Sequence, residues 1–420
     1  MSNRRHTTPR RPAGPRRIRG AEYPRVPLRE GRTVKYLRWF AKQRRRLRPH
    51  RNDPNRRLHF DQYVAWMLLY FFLPSLTSMR STQRASKLAG FRARFRLPRF
   101  SLGSFSEASS RFDPEELVPL IEGLYAQAAP RPEYAFLQAL PGEPTAVDGS
   151  LLHALPRMVW ALWIDDEHRA AKLHLQFDLL RGVPREATLT EGNGDERKVL
   201  REHLAAGRLY VFDGGYADYG LLAAIQAAKS SFVGRLRCNA SYEVHEERDV
   251  SPAARAAGVE RDLVVKLGCA SSPELHDRDI RLVQVHLPDT TGGRPRTGRR
   301  TASRGHRYHT NEHTLLLATD LVDLPAEVVA ELYRYRWQIE LFFRWFKKVL
   351  GAEHLVAERP NGVKLMVYCA LLASLLVSVV TGSEPTRETF ELIGHYLTGL
   401  ATEEDLEALA PTEISITKEA

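Results

Sequence analysis

The sequence predicts an α/β chain built on a mixed sheet with covering helices. Three observations carry this reading. Between Glu143 and Leu236, apolar runs of strand length are separated by Gly- and Asp-rich turns and by two helical patterns. The order is three strands, helix, strand, helix, strand, so a hairpin-like start feeds strand-helix-strand units. Helical periodicity then flanks this section, over residues 58–122 on one side and from Ala326 to Leu350 on the other.

The elements follow in chain order. Residues 1–57 are dominated by arginine, with runs such as Arg44-Arg45-Arg46, and are expected to form a solvated arm that either binds phosphates or has no specific role. Residues 58–140 are expected to be a helical region, either a small DNA-binding domain or plain helical packing. Ser104-Phe105-Ser106-Glu107 has capping-box spacing, and Pro114 opens a further amphipathic stretch. Residues 141–237 are expected to hold the first part of the core. Its first three strands are read as EPTAVDGSLL, MVWALWI and AKLHLQFDLL, with Asp148 ending the first. Glu196 to Ala206 is predicted as a helix, and Arg208 to Phe212 as a buried strand delivering Asp213 to the turn Gly214-Gly215. A helix over Asp218 to Lys229 and a strand over Ser231 to Leu236 follow.

Residues 238–321 shift to strand and turn character and are read as a β-rich insertion, with strands at Asp262–Leu267, Asp279–Leu287 and His309–Leu317. Residues 322–385 return to the core, with one helix from Ala326 to about Leu350, Pro325 before it and Gly351 beyond it. Residues 386–420 are expected to be a peripheral, acidic tail.

At 420 residues the chain is long enough for two or three domains. Its 62 Lys and Arg against 50 Asp and Glu give a formal charge of +12, which suits a polyanionic partner. The three cysteines, Cys238, Cys269 and Cys369, are too scattered for a disulfide framework or a zinc site, and a reducing cytoplasm is expected. The apolar runs Tyr63–Leu73 and Leu365–Val380 fall short of the roughly 18–20 residues that span a bilayer, so each is expected to be a buried helix and no membrane is implied.

Two acids share a local logic. Asp148 and Asp213 each close an apolar run and are followed at once by glycine, which places a carboxylate at a sheet rim, where ligands bind in α/β folds; a turn-capping aspartate has the same pattern. A third acid lies in ELYRYRWQIELFFRWFKKVLG. Tyr333, Arg336, Glu340 and Lys347 stand at helical offsets that fall within an arc of about 60°. One stripe so carries a phenol, a guanidinium, a carboxylate and an ammonium. An Arg336–Glu340 ion pair on a solvated face is the plainer alternative. Other chemistry fits less well. His306, His309 and His313 lack cysteine companions, Ser150 lacks a nucleophile elbow, and His174 reads as a core histidine. The basic loop Arg294 to Arg307 can touch DNA or simply be solvated, and Tyr308 could stack on an unpaired base.

The spacing Y-x2-R-x3-E-x6-K resembles the signature of DDE transposases of the insertion-sequence-four type. TAVDGSLL, and YVFDGGYADYGLL with SFVGRLR, resemble that family's first and second aspartate blocks in the right order. The resemblance spans roughly residues 100–380. It implies an RNase H-like catalytic core interrupted by a β insertion before the last acidic residue. It assigns Asp148, Asp213 and Glu340 as the metal triad and Tyr333, Arg336 and Lys347 as contacts to DNA phosphates. It further implies two Mg²⁺ ions about 3.5–4 Å apart, which Mn²⁺ can replace, double-stranded DNA as transposon end and target, a homodimer in the DNA complex, and a bacterial cytoplasmic, nucleoid-associated setting. A DNA-binding relative without catalysis and a metal-dependent nuclease without strand transfer stay open at this point.

Overall fold

The computed structural model describes residues 58–408 apart from 156, 164–167, 238, 269–274, 276–277, 287–313, 349–350, 352–356 and 383–384. Cys238, Cys269, the histidines 306, 309 and 313, Tyr308, the Arg294–Arg307 loop and the 1–57 arm lie outside the described residues. Cys369 is a free, buried thiol.

The described strands form a single nine-stranded mixed sheet. They are β1 (Glu143–Ala154), β2 (Arg169–Asp178), β3 (Val183–Glu191), β4 (Arg208–Phe212), β5 (Ser231–Arg235), β6 (Tyr242–Arg248), β7 (Val259–Leu267), β8 (Ile280–His286) and β9 (Thr314–Thr319). Their order across the sheet is β3-β2-β1-β4-β5-β9-β8-β7-β6. β1, β2 and β3 form an antiparallel meander, while β4 runs parallel to β1 and β5 parallel to β4. That five-strand half is an RNase H-like core. Helix α6 (Glu196–Glu202) connects β3 to β4, and α7 (Tyr219–Ala227) connects β4 to β5. The segment read as a β insertion contributes β6 to β9, and they prolong the same sheet, because β9 pairs antiparallel with β5. β6, the far margin, is solvent-exposed along most of its length and reads YEVHEER.

The central strands alternate their side chains between two apolar layers. On one face Ala146, Leu173, Leu175, Phe177, Leu209 and Val211 join a large core with α9 (Ala326–Tyr335), α10 (Trp337–Lys348) and α11 (Pro360–Thr381). On the other face Val147, Tyr210, Phe212 and Phe232 pack with Leu200 of α6 and with Leu221, Leu222 and Ile225 of α7. A buried ion pair ties the outer strands to the approach to α9. Arg281 on β8 grips Asp262 on β7 with two bonds of 2.8 and 2.5 Å, and also donates to the carbonyls of Val322 and Leu324.

The N-terminal helices are α1 (Phe60–Phe72), α2 (Met79–Ala85), α3 (Ala89–Phe95), α4 (Leu102–Arg111) and α5 (Val118–Tyr125); they belong to the same core, and α1, α4 and α5 pack directly on α11. Two helices end the described chain, α12 (Arg387–Thr398) and α13 (Glu403–Glu407), and a short α8 (Pro252–Ala256) precedes β7. α11 is longer than its apolar run suggested: residues Pro360–Val379 are long and apolar enough to cross a membrane, so length does not decide the matter. Its packing does, since it runs through the core against α1, α4, α5 and β3, and Asn361 anchors its start by donating to the carbonyls of Ser109 and Phe112.

Several local expectations need correction. The capping box that opens α4 is Ser101 with Ser104, not Ser104 with Glu107. The stretch from Met158 to Trp163 forms turns rather than a strand, with Val159 68% exposed, and the third strand is the more polar Val183–Glu191. Asp148 lies inside β1 rather than at its end, because β1 continues against β2 beyond the last residue that pairs with β4. The helix from Ala326 is broken once, at Arg336, whose N–H bonds to the Tyr333 carbonyl in a tightened turn before α10 begins.

Gly234 is required by the packing. A Cβ there would stand 2.0 Å from the fully buried ring of Phe212, the residue before Asp213. Gly234→Ala is expected to destabilise the chain by about 1–3 kcal/mol through overpacking. Urea denaturation would check this, and an unchanged midpoint would show that Phe212 is free to yield.

Candidate active site

The site begins with the register of two parallel strands. Ala146 on β1 pairs with Val211 on β4. Two residues further along stand Asp148, still within β1, and Asp213, just past the end of β4, near enough that the Asp213 charge acts on the Asp148 carboxyl. Side-chain alternation puts both on the face that α9 to α11 cover, with Ala146 and Val211. β4 stops at Phe212, and Asp213 caps the short 3-10 turn Gly214–Tyr216, its Oδ1 accepting from the Gly215 N–H at 2.8 Å. Asp148 Oδ1 accepts from the Gly149 N–H at 2.8 Å.

α10 brings the third acid over the same face. Phe342 of α10 packs its ring 5.3 Å from Phe177 of β2. Arg336, at the break between α9 and α10, donates from Nη2 to Glu340 Oε1 at 2.6 Å, with side chains 12% and 30% exposed. Its guanidinium also lies 5.5 Å from the centre of the Tyr333 ring, and its Nε is buried without a hydrogen-bond partner. Burial opposes the Arg336 charge, but Tyr333, Glu340 and Asp148 outweigh it and hold the group more basic than usual. Tyr333 is buried, and burial raises its phenol despite the nearby Arg336 and Arg235. The polar stripe is therefore less exposed than helical phase implied, because the turn at Arg336 shifts that phase. Lys347 lies two turns further along α10, partly buried.

The electrostatics centre on Asp148. Burial holds its carboxyl up at about 7, the neighbouring Asp213 and Glu196 add to the rise, and the Gly149 N–H and Arg336 oppose it. Burial also lifts the Tyr216 phenol well above its usual range, with Glu196, Asp148 and Asp213 adding to the effect. Asp148, Asp213, Arg336 and Tyr333 so share one field, and Glu340 joins it through Arg336. Among the described residues no three acidic, histidine or cysteine side chains stand together at ligand spacing. Each carboxylate instead holds a protein partner.

Glu196 was missed by the sequence reading. The available signal was Gly149, read there as a turn residue but placed inside a strand, where glycine often marks a close approach. A Cβ at Gly149 would stand 2.5 Å from Glu196 Oε1. His174, read as a core histidine, is buried and bonds through Nε2 to Thr190 Oγ1 at 2.8 Å; burial lowers its pKa to about 4.

Adjacent aspartates on the central parallel pair of a 3-2-1-4-5 sheet, roofed by helices, define the chain as an RNase H-like protein. The chain belongs to the transposase DDE domain family, whose model matches residues 140–376. A Sinorhizobium fredii protein named as a transposase is 29% identical over 213 residues, which is 50% of this chain and 53% of that protein. The chain thus matches about half the length of that relative. A Geobacillus stearothermophilus protein named as the transposase of an insertion-sequence element is 22% identical over 312 residues, 74% of each chain. The cryo-EM structure of the piggyBac transposase synaptic complex with hairpin DNA aligns over 92% of this chain and 87% of that one, at 12% identity and a TM-score of 0.41.

The raised Asp148 pKa carries a stability consequence. The folded value near 7 exceeds the ordinary 3.8, so the fold favours the protonated form. Stability contributed by this group therefore falls as pH rises from about 4 to about 7. Asp148→Asn should flatten that slope and raise stability at pH 8 by about 1–3 kcal/mol in metal-free buffer. Parallel melting curves across pH for the two proteins would refute the burial argument.

Proposed function

We propose that this chain is a DNA transposase that cuts at transposon ends and joins the freed strand to target DNA at one site built from Asp148, Asp213 and Glu340. The observation that carries the proposal is the side-by-side placement of Asp148 and Asp213 on β1 and β4, under the helix that bears the Arg336–Glu340 pair. Membership of the family implies DNA as partner and a divalent metal in general. That the ion is Mg²⁺, replaceable by Mn²⁺, is part of the proposal, as are a homodimer in the DNA complex and a cytoplasmic, nucleoid-associated setting.

The residues fit a hard divalent cation. Their donors are carboxylate oxygens, the ligand type such ions prefer. At Gly149 and Gly215 the missing side chain leaves room that carboxylates take up: a Cβ at Gly149 would meet Glu196 Oε1 at 2.5 Å, and one at Gly215 would meet Asp213 Oδ1 at 3.0 Å. When bound, the cations would activate the attacking oxygen, first of water and then of the 3′-hydroxyl, and stabilise the departing one. The protein's own part is placement. Asp148 and Asp213 hold fixed positions on paired strands, and a bound cation would favour the ionised form of Asp148 that burial resists. Glu340 completes the acidic set from above once Arg336 turns from it to a DNA phosphate, which the guanidinium can grip with two donors. Tyr333 supports Arg336 through its ring. Lys347 adds a point charge further along the bound strand.

Asp148→Ala, Asp213→Ala and Glu340→Ala should each reduce Mg²⁺-dependent cleavage of linear DNA bearing the element's ends by at least about a hundredfold. DNA affinity should stay within a few fold of wild type. A variant that cuts at the wild-type rate would remove that residue from the site. Cleavage without joining would identify a nuclease, and binding without cleavage a relative that has lost catalysis. Short inverted repeats flanking the coding sequence would supply the ends to use.

Lys347→Ala should weaken DNA binding and lower its salt dependence by about one phosphate contact. A salt slope equal to that of wild type would exclude Lys347 from the interface.

A further inference from the structure

From Gln62 to Ser106 the sequence contains no Asp or Glu, yet it carries seven Lys and Arg. These cations fall on α2, on α3 and on the turns beside them. Arg94 has a structural task, since its guanidinium donates to the carbonyls of Tyr396 and Leu397 and fastens α3 to the end of α12. Arg80, Arg84 and Lys87 have no such task. All three are exposed and make no ion pair among the described residues. They stand at i, i+4 and i+7, because the helical backbone of α2 continues through its C-cap Ser86. The result is one outward stripe, opposite the buried Thr82, Ala85 and Ser86.

Helical packing alone gives no reason for this stripe. On α4, α9 and α12 exposed arginines stand beside acids, as Arg111 does with Glu107, Arg334 with Glu331 and Arg387 with Glu391. Arg80 and Arg84 instead set like charges one turn apart on a helix of seven residues, which disfavours the helix. A polyanion laid along the stripe removes that penalty. The exposed residues from Arg80 to Arg96, besides the cations, are Leu88, Ala89, Gly90 and Ala93. None has a side chain that can hydrogen-bond a base edge, so the surface suits phosphates rather than sequence.

The stripe also continues from the site. Phe72 at the end of α1 stacks on Phe390 of α12 at 4.7 Å, and Phe390 meets Trp345 of α10 at 5.2 Å. The start of α2 and the end of α10 therefore border one groove of about 780 Å³, with Ser78 and Met79 on one side and Lys348 on the other. Arg344 and Lys348 are exposed on α10 beyond Glu340. From Glu340 to Lys348 the helix covers about 12 Å.

We propose that Arg80, Arg84 and Lys87 grip the phosphate backbone of duplex DNA away from the cut and without regard to sequence. Arg344 and Lys348 lead the duplex from the acids along α10 and across the groove to α2. This rests on the reading of the chain as a DNA transposase and adds a holding surface to the cutting site. From Arg80 to Lys87 the stripe runs about 10 Å, close to the axial rise of three phosphates on one strand.

The test is binding of the full chain to a fluorescein-labelled, random-sequence DNA duplex, followed by anisotropy across a salt series in metal-free buffer, where no strand is cut. The variant combines Arg80→Ala, Arg84→Ala and Lys87→Ala, exposed positions at which alanine keeps the helix. Its slope of log affinity against log salt should be shallower than that of wild type by about 2–3, close to one unit per lost phosphate contact. Affinity at low salt should fall by about tenfold or more. Arg111→Ala, which removes an exposed arginine already paired with Glu107, should leave the slope unchanged. If the triple variant keeps the wild-type slope, the holding surface is overturned and the assignment of Asp148, Asp213 and Glu340 stands. If Arg111→Ala flattens the slope as much per charge removed, the effect is one of net charge and the stripe has no special role. If wild type itself binds no duplex, the holding surface and the transposase reading fall together.

Discussion

Everything at the site depends on the parallel pairing of β1 with β4. The pairing ends two residues before the aspartates, at Ala146 and Val211, and β1 alone continues. A strand that stops beside one that goes on leaves a step in the sheet, and the Asp213 and Glu196 carboxylates reach into it around Gly149 and Gly215. The acids then need no long or mobile side chain to meet, because the hydrogen-bond ladder has already set their spacing. Fixing that ladder falls to the buried residues on either side, Val147 and Phe212 on one face and Ala146 and Val211 on the other. Phe212 is itself fixed by the glycine on β5, so the geometry is passed laterally from β5 to β4 to β1.

The charges at this step are arranged in opposed pairs. Arg336 neutralises Glu340 from the helical side and Lys172 neutralises Glu196 from the other, while Asp148 and Asp213 rely on backbone N–H groups. Backbone donors offset a carboxylate's charge only partly, which leaves the buried Asp148 reluctant to ionise. The two basic partners sit on different elements: Arg336 at a helix junction, and Lys172 within β2, largely buried and also donating to the Gly194 carbonyl.

Much of this could be read from the sequence, and the failures have physical causes. Arg208 to Phe212 is short, wholly apolar after its first residue and followed by Asp-Gly-Gly, so the end of β4 and the position of Asp213 were plain. Asp148 was placed at a strand end by the same rule, and the rule failed because Asp148-Gly149 looks like a turn while the partner β2 carries the strand onward. Met158 to Trp163 is apolar enough for a strand, but it lies outside the sheet with Val159 and Leu162 exposed. The true third strand is rich in polar residues because it is an edge. The break at Arg336 contains neither glycine nor proline, so nothing local announced it. Glu196 was invisible for a different reason: its place beside the aspartates depends on a contact with Gly149, and only the glycine inside that strand hinted at it.

The far margin of the sheet has its own consequence. Among the described residues β6 is the last of nine strands, and no described strand pairs with its outward backbone edge. Its Glu243, Glu246 and Glu247, with His245 and Arg248 among them, crowd charge along that strand. Two of these acids are already paired, Glu247 with Arg261 and Glu246 with Arg248, so an incoming strand would meet a margin studded with charges of both signs, the kind of edge that resists edge-to-edge pairing.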